Sequence, residues 1–308
     1  MPAEKFNLSF RARATYYLTS LFLKGLIGTA RLLPYTWRIP AMGWVAAHVL
    51  APLAGFDKRV RDNLKLALPD LPEKQVKSLC RAVPDSAGRY LMEVFSGRPF
   101  IERARKATVT GPGYAALQEA HTAKRPVIMV TGHFGSYDAA RACLIGRGFN
   151  MGVLYRRMAN PYYNDYYVRA MSTIGLPMFE QGRRGMMEMV RHLKDGGIIA
   201  IVADLHAHGG KELQFFGQPA VTSIVTAELA LKYDAVLIPA YGVRQPNGLD
   251  FEVVLNTPIP HSDPETMMQA VNDDLEEMVR QHPDQWFWIH RRWKPWYGLG
   301  VQPASDDT

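Results

Sequence analysis

The stretch Val127-Ile128-Met129-Val130-Thr131-Gly132-His133-Phe134-Gly135-Ser136-Tyr137-Asp138 decides how the chain folds around its chemistry. The unbroken apolar run 127–130 suits a strand buried on both faces. Gly132 and Gly135 permit a tight turn directly after it. Ser136 is placed to cap a following helix, and Asp138 falls in that helix's first turn. His133 therefore sits just past a strand end. Along a straight helix, positions 133 and 138 would not face each other, because i and i+4 are the neighbours. A strand–turn–helix junction can bring them together, and a carboxylate that orients an imidazole makes it an effective general base. A buried core histidine beside a helix-capping aspartate would satisfy the same letters.

Outward from this stretch, short runs rich in Val and Ile alternate with longer helical patterns. Strands are expected at 126–131, 151–155, 197–203, 235–241 and 251–255. Helices are expected at 137–145, 162–173, 184–194, 223–232 and 264–281. Alternation of this kind predicts an α/β fold, a central, mostly parallel or mixed sheet flanked by helices. Sites in such sheets lie beyond the carboxyl ends of the strands, where His133 falls.

The N-terminal part reads differently. Residues 57–106 are helical, punctuated by Pro69, Pro72 and Pro84, with amphipathic stretches at 58–68 and 73–95. Before them, the chain starts with mixed charge (Glu4, Lys5, Arg11, Arg13) and shows no convincing cleavage site for a secretory signal. The run 16–34 is interrupted by Lys24 and Arg31, so it fails as an uncharged membrane span. Those two cations share one helical face, while Leu18, Leu21, Phe22, Leu26 and Leu33 can form the other. A second apolar run covers 41–56. Such stripes pack in a core or lie in a bilayer interface. The aromatic, cation-bearing composition (Tyr16, Tyr17, Tyr35, Trp37, Arg38, Trp44) favours the membrane. The domain reading is therefore 1–56 for N-terminal amphipathic, membrane-associated helices and 57–308 for the α/β domain.

Composition narrows the partners. Of 308 residues 47% are hydrophobic, enough for a sizeable core in one large domain. The formal net charge of +7 favours acidic partners such as anionic lipid, an acidic carrier protein or nucleic acid. The two cysteines, Cys80 and Cys143, form no disulfide framework or metal spacing, which fits a reducing compartment.

His133-x4-Asp138 resembles the HX4D/E motif of glycerolipid and lipid A acyltransferases, and several further blocks follow in the same order. Arg61-Asp62-Asn63-Leu64 with Ala67-Leu68-Pro69 is similar to the helices that precede the motif in late acyltransferases of lipid A biosynthesis. Tyr155-Arg156-Arg157 with Asn160-Pro161 looks like their second block. Gly182-Arg183-Arg184-Gly185 onward, with Gly196-Gly197 to Asp204, looks like their third. Phe215-Phe216-Gly217-Gln218-Pro219-Ala220 and Thr222 match the loop that follows, and His282-Pro283-Asp284-Gln285-Trp286-Phe287-Trp288-Ile289-His290-Arg291-Arg292-Trp293-Lys294 is close to the C-terminal signature. The resemblance spans roughly 20–296.

The resemblance implies an O-acyltransferase of the α/β domain, moving a fatty acyl chain from a thioester to a hydroxyl of a lipid acceptor. His133 would deprotonate the hydroxyl and Asp138 orient it, with no acyl-enzyme. Backbone N–H groups of the turn, or an arginine, would hold the oxyanion. Gly132, Gly135 and Tyr155 are expected to line the substrate site. Arg156, Arg184, Arg291 and Arg292 suit an anionic head group, since the guanidinium fork binds anions bidentately. Asp204, at the end of a buried strand, is a second candidate acid, or an ion-pair partner for one of those arginines. The donor would be acyl carrier protein or acyl-CoA. The acceptor would be a lipid A precursor or, alternatively, a lyso-aminolipid or lysophospholipid. The enzyme would sit on the cytoplasmic face of a bacterial inner membrane, peripheral, monotopic or held by a single N-terminal anchor. No cofactor, metal or nucleic-acid partner is expected.

Two departures concern the acceptor: lipid A acyltransferases of this branch usually carry Glu at the position of Asp138, and many have Asp-Gln where this chain reads Asp204-Leu205-His206-Ala207-His208. The latter run also resembles a metal-ligand set, which makes a metal-dependent hydrolase on Asp204, His206 and His208 a rival. A serine hydrolase would need a G-x-S-x-G elbow, which is absent here. A non-catalytic lipid or nucleic-acid binder would fit the charge but not the clustering of His, Asp and Arg at strand ends.

Overall fold

The computed structural model describes residues 9–294. Glu4 and Lys5, and the last two positions of the resemblance at 295 and 296, lie outside the described residues. A helical N-terminal layer comes first. It comprises α1 (Phe10–Ala30), α2 (Tyr35–Val45), a π-helical turn (Ala46–Leu50), α3 (Ala51–Leu53), α4 (Phe56–Ala67), α5 (Glu73–Val94) and α6 (Arg98–Ala104). The α/β part follows as β1 (Thr108–Thr110), α7 (Gly113–Thr122), β2 (Val127–Thr131), α8 (Tyr137–Gly146), β3 (Met151–Tyr155), α9 (Pro161–Ile174), β4 (Met178–Glu180), α10 (Arg183–Lys194) and β5 (Ile198–Val202). It closes with the hairpin β6 (Lys211–Phe215) and β7 (Gln218–Thr222), then α11 (Val225–Lys232), β8 (Val236–Arg244), β9 (Phe251–Leu255) and α12 (Pro264–Gln281).

The seven-stranded sheet has the order β1-β9-β8-β2-β5-β3-β4. Only the β8–β9 pairing is antiparallel, so the sheet is mixed. β2 is central and buried at every position, as its apolar run requires. Its side chains alternate between the two faces. Val127 and Met129 pack with Ala139, Cys143 and Leu144 of α8. Ile128 and Val130 pack with Met189 and Leu193 of α10, Ala227 of α11 and Met267 and Val271 of α12.

All five expected strands and all five following helices are present, with small shifts at their ends. β1, β4, α7 and the β6–β7 hairpin were not expected from periodicity. The first two are three residues long, too short to show a period. The hairpin turns at Phe216 and Gly217, both with positive φ (54° and 66°), the pattern of a two-residue hairpin turn. Pro84, expected to punctuate, lies buried inside α5. There α2 packs closely on α5, and a Cβ at Gly88 would stand 2.7 Å from the carbonyl of Met42.

A third core unites the layers. Val60 and Leu64 of α4, Phe134 of the turn after β2, Phe215 and Phe216 of the hairpin, Leu275 of α12 and three tryptophans of the C-terminal segment (Trp286, Trp288, Trp293) form one buried cluster. The outer side of the N-terminal layer is apolar and exposed: Phe10, Leu18, Leu21, Phe22, Leu32, Leu33, Trp37, Trp44 and Leu53 face outward. No single helix among the described residues is long and apolar enough to cross a membrane. The pair Tyr35–Leu53 and Phe56–Ala67 meets that test only together, with a 91° bend between its halves.

Candidate active site

Three parallel strands, β2, β5 and β3, bring their carboxyl ends to one edge of the sheet. β2 and β5 pair in register with Thr131 opposite Val202, and the ladder continues one residue further as the Ala203 N–H donates to the Thr131 carbonyl at 2.9 Å. His133 and Asp204 each lie two positions past that matched pair. The imidazole Nδ1 and Asp204 Oδ1 are 2.7 Å apart, and the His133 backbone N–H donates to Oδ2 at 2.8 Å. The Trp286 indole also donates to Oδ2, at 2.8 Å. The carboxylate is thus satisfied at both oxygens. Burial pushes its pKa up, but the charge of His133 and the hydrogen bonds from its ring and backbone outweigh that and hold the group well below the usual carboxylate range. An ionised carboxylate only accepts, so Nδ1 carries the proton and Nε2 is left as the basic nitrogen. The His133 side chain is 27% exposed, against 0% for that of Asp204.

Gly132 is small because Asp204 is near: a Cβ there would stand 3.0 Å from Oδ2 and 2.9 Å from Leu275. Gly135 has a φ of +54°, and a Cβ on it would collide with the carbonyl of Gly242. Both glycines, expected to line a substrate site, serve the close approach of protein groups. Ser136 occupies the N-cap position of α8, yet its buried hydroxyl makes no capping bond.

Asp138 does not meet His133. It lies in the first turn of α8, 1% exposed, where Arg141 one turn on donates to Oδ1 at 2.8 Å and Tyr90 of α5 donates to Oδ2 at 2.8 Å. Arg141 also donates to the carbonyls of Met171 (2.7 Å) and Gly175 (2.9 Å), which ties α8 to the end of α9. The expected His133–Asp138 pairing is therefore corrected. The helix turns residue 138 toward 141 and away from the turn, while the neighbouring strand supplies the carboxylate that reaches the imidazole.

The turn's backbone donors are also committed. Beyond His133 N–H, those of Phe134, Gly135 and Ser136 donate to the carbonyls of Gly132, Gln285 and Gly242, each at 2.8 Å. An oxyanion held by these groups, as expected above, would require breaking the turn.

Aromatic rings frame His133. Tyr137 stands edge-on at 5.9 Å, His290 edge-on at 4.4 Å, and Phe287 is tilted at 6.5 Å. Burial, reinforced by the charge of His133 and opposed by Asp204, pushes the pKa of His290 down to about 3. Its Nε2 is buried without a hydrogen-bond partner. One side-chain donor atom from each of His133, Asp204 and His290 lies within 4.8 Å of the others. The Asp204 oxygens already accept three hydrogen bonds, from the His133 ring and backbone and from Trp286, while His290 meets His133 only ring against ring. Among the described residues His206 and His208 join no group able to hold a metal, and their rings meet edge-on at 5.1 Å. The hydrolase rival loses its ligand set, since Asp204 turns to His133 instead.

The arginines divide. Arg156 is exposed just past the end of β3, and no ion pair engages it among the described residues. Its neighbour Arg157 pairs with Glu180 at 3.0 Å, and the Tyr155 hydroxyl donates to the same carboxylate at 3.1 Å. Arg184 is exposed and pairs with Glu188 of its own helix at 2.9 Å. Arg291 is half-buried. Arg292 is 1% exposed and donates to the Val221 carbonyl (2.9 Å) and the Thr222 hydroxyl (2.6 Å), its pKa lowered by burial to about 10. Expected on an anionic head group, Arg292 instead braces the β6–β7 hairpin.

Trp286, His290, Asn63, Tyr90 and Arg141 were not singled out from the sequence. The first three lie inside quoted blocks, at 61–64 and 282–294, which gave order without contacts.

The chain matches the family model described as bacterial lipid A biosynthesis acyltransferase over residues 4–295. It is similar to the lipid A biosynthesis lauroyltransferase of Escherichia coli strain K12, 26% identical over 293 residues that cover 91% of this chain and 92% of that one. It is 25% identical over 274 residues to a phosphatidylinositol mannoside acyltransferase of Mycobacterium tuberculosis, covering 82% and 87%. A lipid A biosynthesis acyltransferase of Haemophilus influenzae is 24% identical over 238 residues, 75% and 73% of the two chains.

Proposed function

Because the chain belongs to the bacterial lipid A biosynthesis acyltransferase family, whose members act on lipid acceptors, we propose that it transfers a fatty acyl group from an acyl thioester to a lipid hydroxyl by direct attack, with His133 as base and Asp204 as the group that orients it. The observation that carries this reading is the 2.7 Å contact of Nδ1 with Asp204, which turns a basic Nε2 to a partly exposed site at the strand ends. Nε2 takes the hydroxyl proton as the acceptor oxygen attacks the thioester carbonyl. The tetrahedral oxyanion collapses, the C–S bond breaks, and the imidazolium returns the proton to the leaving thiolate. Asp204 stabilises the imidazolium throughout. With the turn's N–H groups committed, an arginine such as Arg156, exposed just past the end of β3, is assigned to the oxyanion or to an anionic head group. Asp138 serves the site at one remove: Tyr90 bonds it and packs at 4.6 Å on Tyr137, which stands against His133.

The donor in this reading is acyl carrier protein or acyl-CoA, and the acceptor is a lipid A precursor. A lyso-aminolipid or lysophospholipid is the second reading. Nearly equal identity to relatives named for lipid A and for phosphatidylinositol mannoside, 26% and 25%, ties the chain to no single acceptor. The exposed apolar face of α1–α3 would lie on the cytoplasmic face of the inner membrane. Lipid profiles of cells with and without the gene test the acceptor. Loss of one acyl chain from lipid A supports the first reading, and accumulation of a lyso-lipid with intact lipid A supports the second. No change in any acylated lipid would sink both. A covalent acyl adduct trapped on the protein would rule out direct attack.

A further inference from the structure

The catalytic turn is held from the C-terminal segment residue by residue. Gln285 accepts from the Gly135 N–H at 2.8 Å, and its side chain is in turn fixed by the backbone of Arg244. Trp286 donates to Asp204, and the Phe287 N–H donates to the His133 carbonyl at 3.0 Å. His290 puts its ring against that of His133. This segment has no regular secondary structure to hold its own shape, and its carbonyls at 288 and 290 need partners once buried. One side chain supplies both. Asn63, buried in α4, donates from Nδ2 to the Trp288 carbonyl at 2.6 Å and to the His290 carbonyl at 2.7 Å. Two carbonyl acceptors fix the amide's orientation, because only the NH2 group can serve both.

From these contacts we infer that Asn63 is a positioning residue for the acyl transfer: by binding the carbonyls of Trp288 and His290 it holds the 285–290 segment that sets the His133–Asp204 pair. The role rests on the reading of His133 as base, and it joins the N-terminal helical layer to the reacting group across 225 positions of sequence. Asn63→Asp is isosteric but turns an acceptor oxygen toward two carbonyls, which repel it. Asn63→Ser is shorter and has one hydroxyl proton, so it can satisfy at most one carbonyl.

The test uses the purified full chain with a dodecanoyl thioester of acyl carrier protein and the lipid that accumulates in the deletion strain. Two readouts follow His133 directly: the split between kcat and KM, and the low-field proton resonance of the Nδ1–H bonded to Asp204. Folded Asn63→Ser and Asn63→Asp should lose kcat by about tenfold or more, in the range expected when positioning slips by an ångström or less, with KM little changed and the resonance lost or broadened. A folded variant with wild-type kcat and an intact resonance overturns the role. Failure of both variants to fold also overturns it, making Asn63 a folding determinant only. His133→Ala is run beside them. If it stays active, the base assignment fails. If it is dead while Asn63→Ser is fully active, only the role of Asn63 fails.

Discussion

Asp138 and Asp204 are both aspartates with almost no exposure, 1% and 2%, placed around the same turn, yet their surroundings give them opposite work. Asp138 faces a guanidinium and a phenol, groups that stay in one protonation state near neutral pH, so its bonds tie α8 to α5 and, through Arg141, to α9. Asp204 faces an imidazole, the one ordinary side chain that exchanges its proton near neutral pH. The partner, more than the carboxylate or its burial, decides whether a buried acid is architecture or machinery.

The largest expected effect is at Asp204. Asp204→Asn keeps the shape but removes the charge that fixes the His133 tautomer, and kcat should fall by about 10² to 10⁴, as general-base catalysis contributes. Retained activity would erase the contrast between the two acids. The substitution should also alter acid stability. The folded pKa of Asp204 lies below its unfolded value, so the ionised form adds stability that is present above the unfolded pKa near 3.8 and is lost as pH falls toward the folded one. Asp204→Asn should lose that acid-side dependence in a pH-resolved melting series.

Asp138→Ala should instead show itself in stability. It leaves the buried Arg141 without its carboxylate and should cost about 3 kcal/mol in denaturant unfolding, with kcat per folded molecule falling far less than in Asp204→Asn. A fall in kcat equal to that of Asp204→Asn at unchanged stability would reverse the roles.

A smaller effect sharpens the environment of the pair. His290 has its folded pKa near 3 against an ordinary 6.5. Between those values only the unfolded chain binds the proton, so stability should fall as pH drops below about 6.5. His290→Phe should flatten that slope by up to roughly 1 kcal/mol per pH unit, read as Tm between pH 7 and 5 (an interval set by the assay, of about two units). An unchanged slope would mean that the imidazole is charged in the folded state.

The smallest effect on folding is expected at the exposed face of the N-terminal layer. Trp37→Ser and Trp44→Ser should change stability by no more than about 0.5 kcal/mol, while flotation with anionic phospholipid vesicles drops. Equal flotation of wild type and variants would detach this face from the membrane reading.

The sequence carried the strand, the turn and His133, because an unbroken apolar run followed by glycines has few other structural readings. It also carried the alternation that makes an α/β fold, and the order of blocks that marks the family. It placed Asp138 correctly in the first turn of α8 but paired it wrongly, since nearness along the chain says little about which way a helical side chain points. Asp204 was visible as a strand-end acid, but the partners read for it were an arginine or the metal-ligand histidines His206 and His208, where the structure pairs it with His133. Arg292 read as a cation for a head group because its burial depends on a hairpin too far along the chain to be seen from the letters around it.

What the sequence alone determined about this protein is local and periodic: which segments are strands and helices, that the central strand is buried on both faces, and that a histidine stands at its end. What only the tertiary structure decided is adjacency. Strand order and register placed Thr131 opposite Val202 and therefore Asp204 beside His133, and packing brought Asn63, Trp286 and His290 to the same point. The physical reason is that period and turn chemistry act over a few residues, whereas the order of parallel strands is set by how separate helices and strands bury their apolar faces against one another.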